Sequence, residues 1–302
     1  GSDEDGLRYA WLTLGNLLRE GGSIFPALIR DWPDCLRRGI EISGPLSSDF
    51  VDMAFRMRIN LLHRGRHAYS SDKDREQVRQ FNDYAFERGI LVEIAFHTNV
   101  LDLGPDYQKY ITPGYNSHYY MYKPEEGLFG YLNGAYSWSR DDLARARGQQ
   151  LAKEMKDLHF RSIYFHAIDR GGFNDPGNWA RRLPQDRERW GDDQASADAH
   201  LLSIYVEELR REIPDIVIYY VQYPYVPTKD AKVLKYYRDL SAKLDGKVIH
   251  LLREAPRQLL ASTVAAFRHP PRMCFYPYPF TVYPSYSNSG RFVASLYFGL
   301  QT

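Results

Sequence analysis

The stretch RDDLARARGQQLAKEMKDLHFRSIYFHAIDRGGFNDP, residues 140–176, holds a helix, a strand and a loop in succession. Arg140 to Asp157 reads as a helix. RSIYFHAI (161–168) is a short apolar and aromatic run of the kind that fills a strand. It stops at Asp169, where the glycine-containing DRGGFNDP opens a polar loop expected to run to residue 191. Strands alternating with helices in this order imply a parallel sheet with helices outside it.

The alternation continues in both directions. Toward the N-terminus, RGIEIS (38–43), INLLH (59–63) and ILVEIAF (90–96) read as strands. Ser47 or Ser48 can cap a helix through Phe50, Met53, Ala54 and Met57. Asp72 opens a charged helix that Gly89 ends. Toward the C-terminus, DIVIYYVQY (215–223), KVIHLL (247–252) and MCFYPY (273–278) are strands, with helices expected over 193–212, 229–244 and 256–267. A helix over 7–20, with Trp11, Leu14, Leu17 and Leu18 at helical spacing, precedes the series; a last helix is expected from Gly290. Residues 98–138 carry no clear period and many Tyr, Gly and Pro, so this long segment is functional or holds small extra elements. Seven strands in one series, without a second glycine-rich start, favour an α/β fold of the (β/α)8 TIM type over a doubly wound sheet. Such a barrel needs eight strands. The eighth is missing or unmarked, so the barrel is expected to be incomplete at its C-terminal end. The expected organisation is an N-terminal helix and linker over 1–37 and the barrel over 38–302.

Composition narrows the partners. The chain has 302 residues, enough for one large core, and a net charge of +1 with no basic face, which argues against nucleic acid. No apolar run reaches the roughly 18 residues of a membrane span. The opening GSDEDG reads as a cloning remnant, and the compartment stays open. Cys35 and Cys274 are too few for a disulfide framework and match no metal motif. The 24 tyrosines stand out. A tyrosine ring offers an apolar face and a polar tip, which suits the C–H face and hydroxyl rim of a sugar.

Catalytic groups of such barrels sit where strands end. That rule selects Glu41 near the end of the first strand, Arg64 and His67 after the second, and Glu93 and His97 on and after the third. It selects His166, Asp169 and Arg170 at the fourth, Tyr223 and Tyr225 after the fifth, Glu254 after the sixth, and Tyr276, Tyr278 and Tyr283 after the seventh. The tyrosine-rich segments gather at one mouth, as in an aromatic-lined pocket with a few convergent polar groups. Each candidate has a structural alternative. Glu93 suits a buried pair with an Arg, Asn60 and His63 suit hydrogen bonds at a strand end, and Glu254 suits a helix cap. Asp192, Asp193 and Asp198 fit a helix N-terminus better than a metal. Trp179 and Trp190 fit stacking on guanidinium groups. Asp169 differs, because it leaves an apolar strand into a glycine-rich stretch that lets backbone approach a ligand.

The order of phrases LRYAWLTLGNLL (7–18), IRDWPDCLRRGIE (29–41), RINLLH (58–63) and FERGILVEIAF (86–96) resembles the start of the barrel in family 20 and family 84 glycoside hydrolases, the β-N-acetylhexosaminidase group. The resemblance covers roughly residues 7–97 and resumes at the fourth strand. It implies hydrolysis through an oxocarbenium-like transition state, with the 2-acetamido group of the substrate as nucleophile, no cofactor, and an oligosaccharide or polysaccharide substrate. It favours an extracytoplasmic location. Those families place an acidic pair after the fourth strand, the first carboxylate orienting the acetamide and the second acting as general acid. In HAIDRGG, His166 matches the family histidine and Asp169 stands near the first position, while Arg170 takes the place of the second. Three readings follow. The chain is a divergent glycosidase whose general acid is Glu254, Glu93 or Asp175; a carbohydrate-binding barrel that has lost its acid; or a barrel with unrelated chemistry.

Overall fold

Successive side chains of a strand point to opposite faces, so a strand covered by helices must divide its residues into an outer and an inner set. The chain does this in a computed structural model that describes residues 4–18, 22–24, 28, 37–42, 46–64, 71–97, 128–129, 135–166, 179–180, 182–222, 228–253, 257–274 and 297–298. Strand β1 (Arg38–Ile42) is preceded by helix α1 (Glu4–Leu17) and followed by α2 (Ser48–Arg56), β2 (Leu61–Arg64), α3 (Asp72–Glu87) and β3 (Leu91–His97). Two short strands, β4 (Leu128–Phe129) and β5 (Ala135–Tyr136), pair with each other inside the long segment that follows. Then come α4 (Asp141–Asp157), β6 (Ser162–His166), α5 (Pro184–Trp190), α6 (Gln194–Glu212) and β7 (Val217–Val221). The series ends with α7 (Ala231–Lys243), β8 (Ile249–Arg253), α8 (Arg257–Val264), β9 (Arg272–Cys274) and β10 (Tyr297–Phe298).

Six strands, in the order β1-β2-β3-β6-β7-β8, pair in parallel as a curled half-barrel, and β9 continues it on β8. This is a TIM-type arrangement that is incomplete. The place beside β1 is taken by β10, which runs antiparallel. The helix expected from Gly290 is thereby corrected at Tyr297–Phe298, where backbone pairing with Arg38 and Gly39 holds an extended segment. The loop expected over 169–191 is corrected too. Its described part contains α5, which starts at Pro184 and has Asp186 accepting from the Leu183 backbone N–H at 3.2 Å.

The outer set, including Ile40, Leu62, Ile94, Ile163, Phe165 and Ile218, packs on Val51, Ala54, Phe81, Leu151, Met155, Leu201 and Leu209 of the helices. The inner set forms a second cluster of Leu61, Tyr164, Tyr219, Val221 and Leu251 with Leu91, Ala95, Val217 and Ile249. Local sequence sets the helix ends. Ser47 and Ser71 accept from the backbone N–H groups of Asp49 and Asp74 at 3.2 and 3.1 Å. Gly89 follows α3 with φ of 73°, a conformation that strains any side chain. Helix α1 lies against the start of β1 and the turn before β2. Tyr9 Oη is 3.0 Å from the Arg38 guanidinium, and Thr13 Oγ1 accepts from Arg58 at 2.7 Å. Trp11 and Leu18 face outward, because α1 uses its Tyr9–Thr13 side for these contacts. No helix among the described residues is long and apolar enough to cross a membrane.

One outer-layer residue makes the fold sensitive to acid. His250 on β8 is 8% exposed, packs against Tyr220 and Phe267, and has no hydrogen-bond partner at Nε2 among the described residues. Burial lowers its pKa to about 4. Between about 6.5, the unfolded value, and about 4, the unfolded chain takes up a proton that the folded chain refuses. Stability is therefore expected to fall as pH drops through this window, by up to about 1.4 kcal/mol per pH unit from this group. Urea midpoints at pH 7, 5.5 and 4.5 check this: His250→Gln should flatten the decline, and an unchanged decline would assign the acid sensitivity elsewhere.

Candidate active site

Among the described residues, the inner face carries His63, Glu93 and Ser162 beside its apolar and tyrosine positions. His63 follows Leu61 on β2, Glu93 lies between Leu91 and Ala95 on β3, and Ser162 precedes Tyr164 on β6. Register puts them in one row: Glu41 pairs with His63, His63 with Glu93, and Glu93 with Ser162. His63 Nδ1 is 2.8 Å from Glu93 Oε1, with side-chain exposures of 7% and 1%. Ser162 Oγ donates to Glu93 Oε2 at the longer distance of 3.5 Å. The Tyr164 ring meets the His63 ring edge-on, with centroids 5.1 Å apart. The buried partner expected for Glu93 was an Arg; the structure supplies His63 instead, because register pairs it with the neighbouring strand's inner residue.

Nearer the strand ends, Ala95 pairs in register with Tyr164 and Tyr164 with Tyr219; beyond them His97 pairs with His166 and His166 with Val221. His97 and His166, expected to bind substrate, therefore end adjacent strands at matching positions. Glu41 occupies the first strand as expected. Arg64 ends β2 half-buried, on the same alternation as Leu62. His67, Asp169, Arg170, Asp175, Tyr223, Tyr225, Glu254, Tyr276, Tyr278 and Tyr283 lie outside the described residues. Sequence reading treated His63 as a strand-end group and missed Ser162, Tyr164 and Tyr219; the signal was their period of two with the apolar inner positions.

A second polar network ties the structure behind this face. Two long segments end at residues just before α4 and α5. Ser137 Oγ donates to Asp186 of α5 at 2.6 Å, and Trp138 Nε1 donates to Asp198 of α6 at 2.6 Å. Tyr236 of α7 donates to the other Asp198 oxygen at 2.7 Å. Trp179 packs edge-on against Trp138, and the Arg182 guanidinium lies 4.2 Å from the Trp179 ring centroid. Arg189 lies similarly over Trp190 at 4.6 Å, so both tryptophans stack on guanidinium groups as expected. The three aspartates also separate by role. Asp193 caps α6, Asp192 pairs with Arg182 at 2.8 Å, and Asp198 is a buried acceptor. At the start of α4, partial burial raises the Asp141 pKa, but hydrogen bonds from Arg189 and His200 outweigh it and hold the carboxyl below its ordinary range. Among the described residues no three His, Cys, Asp or Glu side chains are grouped as a metal site requires.

No protein-family model matches the chain, and no curated protein matches it in sequence. Solved structures match it in fold. A substituted form of the Thermobaculum terrenum O-GlcNAc hydrolase superposes with a TM-score of 0.54 at 12% identity, over 81% of this chain and 48% of that one. The protein CpGH84B superposes with a TM-score of 0.60 at 14% identity, over 92% of this chain and 45% of that one. The chain thus spans less than half the length of either structure. At these identities the shared property is the fold, a TIM-type barrel of the GH84-like kind.

The Asp198 network predicts a specific loss. Asp198→Ala would leave the buried Trp138 N–H without its acceptor, which costs about 1–3 kcal/mol. Asp198→Asn keeps one acceptor oxygen and should cost less. Urea denaturation of both variants checks the order; equal stability of the alanine variant and the wild type would contradict it.

Proposed function

We propose that the chain is a glycoside hydrolase barrel acting on a glycan that contains an N-acetylhexosamine, with carboxylate catalysis at the C-terminal ends of its strands. The observation that carries this reading is the strand β6, which ends at His166 and leads into HAIDRGG, in a fold shared with an O-GlcNAc hydrolase. In this reading residues 38–302 form the catalytic barrel. Asp169 orients the 2-acetamido group as it attacks the anomeric carbon, and a second carboxylic acid protonates the leaving oxygen. Glu254 and Asp175 are the candidates for that acid, because Glu93 is engaged by His63 well inside the barrel. His166, Arg170 and the tyrosines 223, 225, 276 and 278 complete the sugar site, the aromatic rings stacking on its C–H faces.

Arg170 favours a second reading. It replaces an acid by a cation at the position where the resembling families carry the general acid, which fits a barrel that binds glycans without cleaving them.

Hydrolysis of a panel of aryl glycosides, with N-acetylglucosaminide and N-acetylgalactosaminide included, separates the two. The glycosidase reading expects turnover by the wild type and a loss of at least about 100-fold in Asp169→Asn, in the range typical of acid–base groups. Glycan binding without turnover on any substrate would favour the binding barrel and reject catalysis.

A further inference from the structure

We infer that two copies of the chain pair through α1, whose outward face packs antiparallel against the same face of the second copy. Helix α1 docks on the barrel through Tyr9 and Thr13, which contact Arg38 and Arg58. Leu7, Trp11, Leu14 and Leu18 follow a four-three-four spacing that lines the opposite side. Leu7 is 55%, Trp11 67% and Leu18 52% exposed. The stripe continues past the helix end. The Leu18 backbone N–H donates to the Gly15 carbonyl at 3.3 Å, and Leu18 bridges to Ile24, also 52% exposed. The Glu4–Arg8 ion pair borders one flank. With Leu12 and Leu17 between the two sides, α1 is apolar nearly all round, which is the pattern of a helix covered on every side. Among the described residues, the barrel covers the Tyr9–Thr13 side.

Area and shape point to a second copy as the cover. By their fractional exposures, Leu7, Trp11, Leu18 and Ile24 present about 500 Å² of apolar surface, as much as the largest patch of a typical monomer. Two copies joined there bury about 1,000 Å² from these residues alone. The exposed Ala10 and Gly15 beside them bring the total toward the roughly 1,200 Å² at which stable interfaces begin. The stripe is also complementary to itself. A two-fold axis level with Leu12 and Thr13 sets Leu7 against Leu18 of the second copy, and Trp11 against Leu14 of the second copy. Each indole then lies beside Gly15 of the other chain, because Gly15 stands one turn from Trp11 on the same flank. A Cβ built at Gly15 meets nothing within 4 Å. Glycine weakens a helix interior, and no contact among the described residues requires it there. One patch thus carries both a knob and the notch that receives it, as a two-fold interface needs.

Sedimentation equilibrium of the full chain reads the association. The expected result is a reversible dimer with Kd on the order of 10 µM, in keeping with an interface at the small end of the stable range. Trp11→Glu should weaken it about 30-fold or more with an unchanged melting temperature, because the indole is exposed in the single chain. Gly15→Leu separates fitted pairing from general stickiness. It adds apolar surface and helix propensity, so stickiness would strengthen association, whereas a filled notch should weaken it about tenfold. Leu7→Cys and Leu18→Cys chains, mixed and oxidised, should cross-link to each other more readily than either does to itself. A chain that stays monomeric to about 100 µM overturns the inference, as does association that Trp11→Glu leaves unchanged or Gly15→Leu strengthens. Preferred cross-links between like positions overturn the antiparallel register. A monomer that cosediments with phosphatidylcholine vesicles, and stops doing so in Trp11→Glu, overturns the second copy in favour of a membrane surface.

Discussion

Each strand of the half-barrel carries two sets of side chains at a period of two residues, and the helices take one set. Ile40, Leu62, Ile94, Ile163 and Ile218 are committed to the helix layer, and that commitment sends Leu61, His63, Glu93, Tyr164 and Tyr219 inward. A slip of one residue in any strand would exchange the sets and drive Glu93 into the helix interface. The polar row therefore has its address fixed by the apolar residues around it. The His63–Glu93 contact is the local consequence, since parallel pairing of β2 with β3 leaves those two side chains opposite each other.

The network behind the sheet ties three helices to the residues before α4. Asp198 joins α6, α7 and the residues before α4 through one carboxylate, and Asp186 joins the residues before α4 to α5. Both are buried acceptors whose donors come from other parts of the chain. Such groups specify one arrangement, because any other leaves a donor or acceptor unsatisfied. Sites positioned by rigid elements hold their geometry better than sites left to loops alone.

The seven parallel strands and their helices were legible because each is a local pattern: a short β-branched and aromatic run, a serine before an acidic turn, a glycine after a helix. Boundaries agree within a few residues, as at 90–96 for β3 and 72–88 for α3. The misreadings have a common cause. Tyr297–Phe298 is extended because it pairs with β1, which lies far away in sequence. Glu93 finds His63, and not an Arg, through cross-strand register that no local window contains. The inner tyrosines 164 and 219 were hidden in runs that read as uniformly apolar. Asp169 was singled out by its place after a strand; β6 is described as far as His166, and Asp169 lies outside the described residues.

The most direct measurement of a sugar site at the mouth is calorimetric titration with the thiazoline of N-acetylglucosamine. This bicyclic molecule mimics the ring that forms when an acetamido group attacks its own anomeric carbon. Saturable binding at one site per chain, weakened by Asp169→Asn with the fold intact, is the predicted result. A flat titration of the folded wild type, or binding indifferent to Asp169, would contradict a substrate-assisted sugar site at the end of β6.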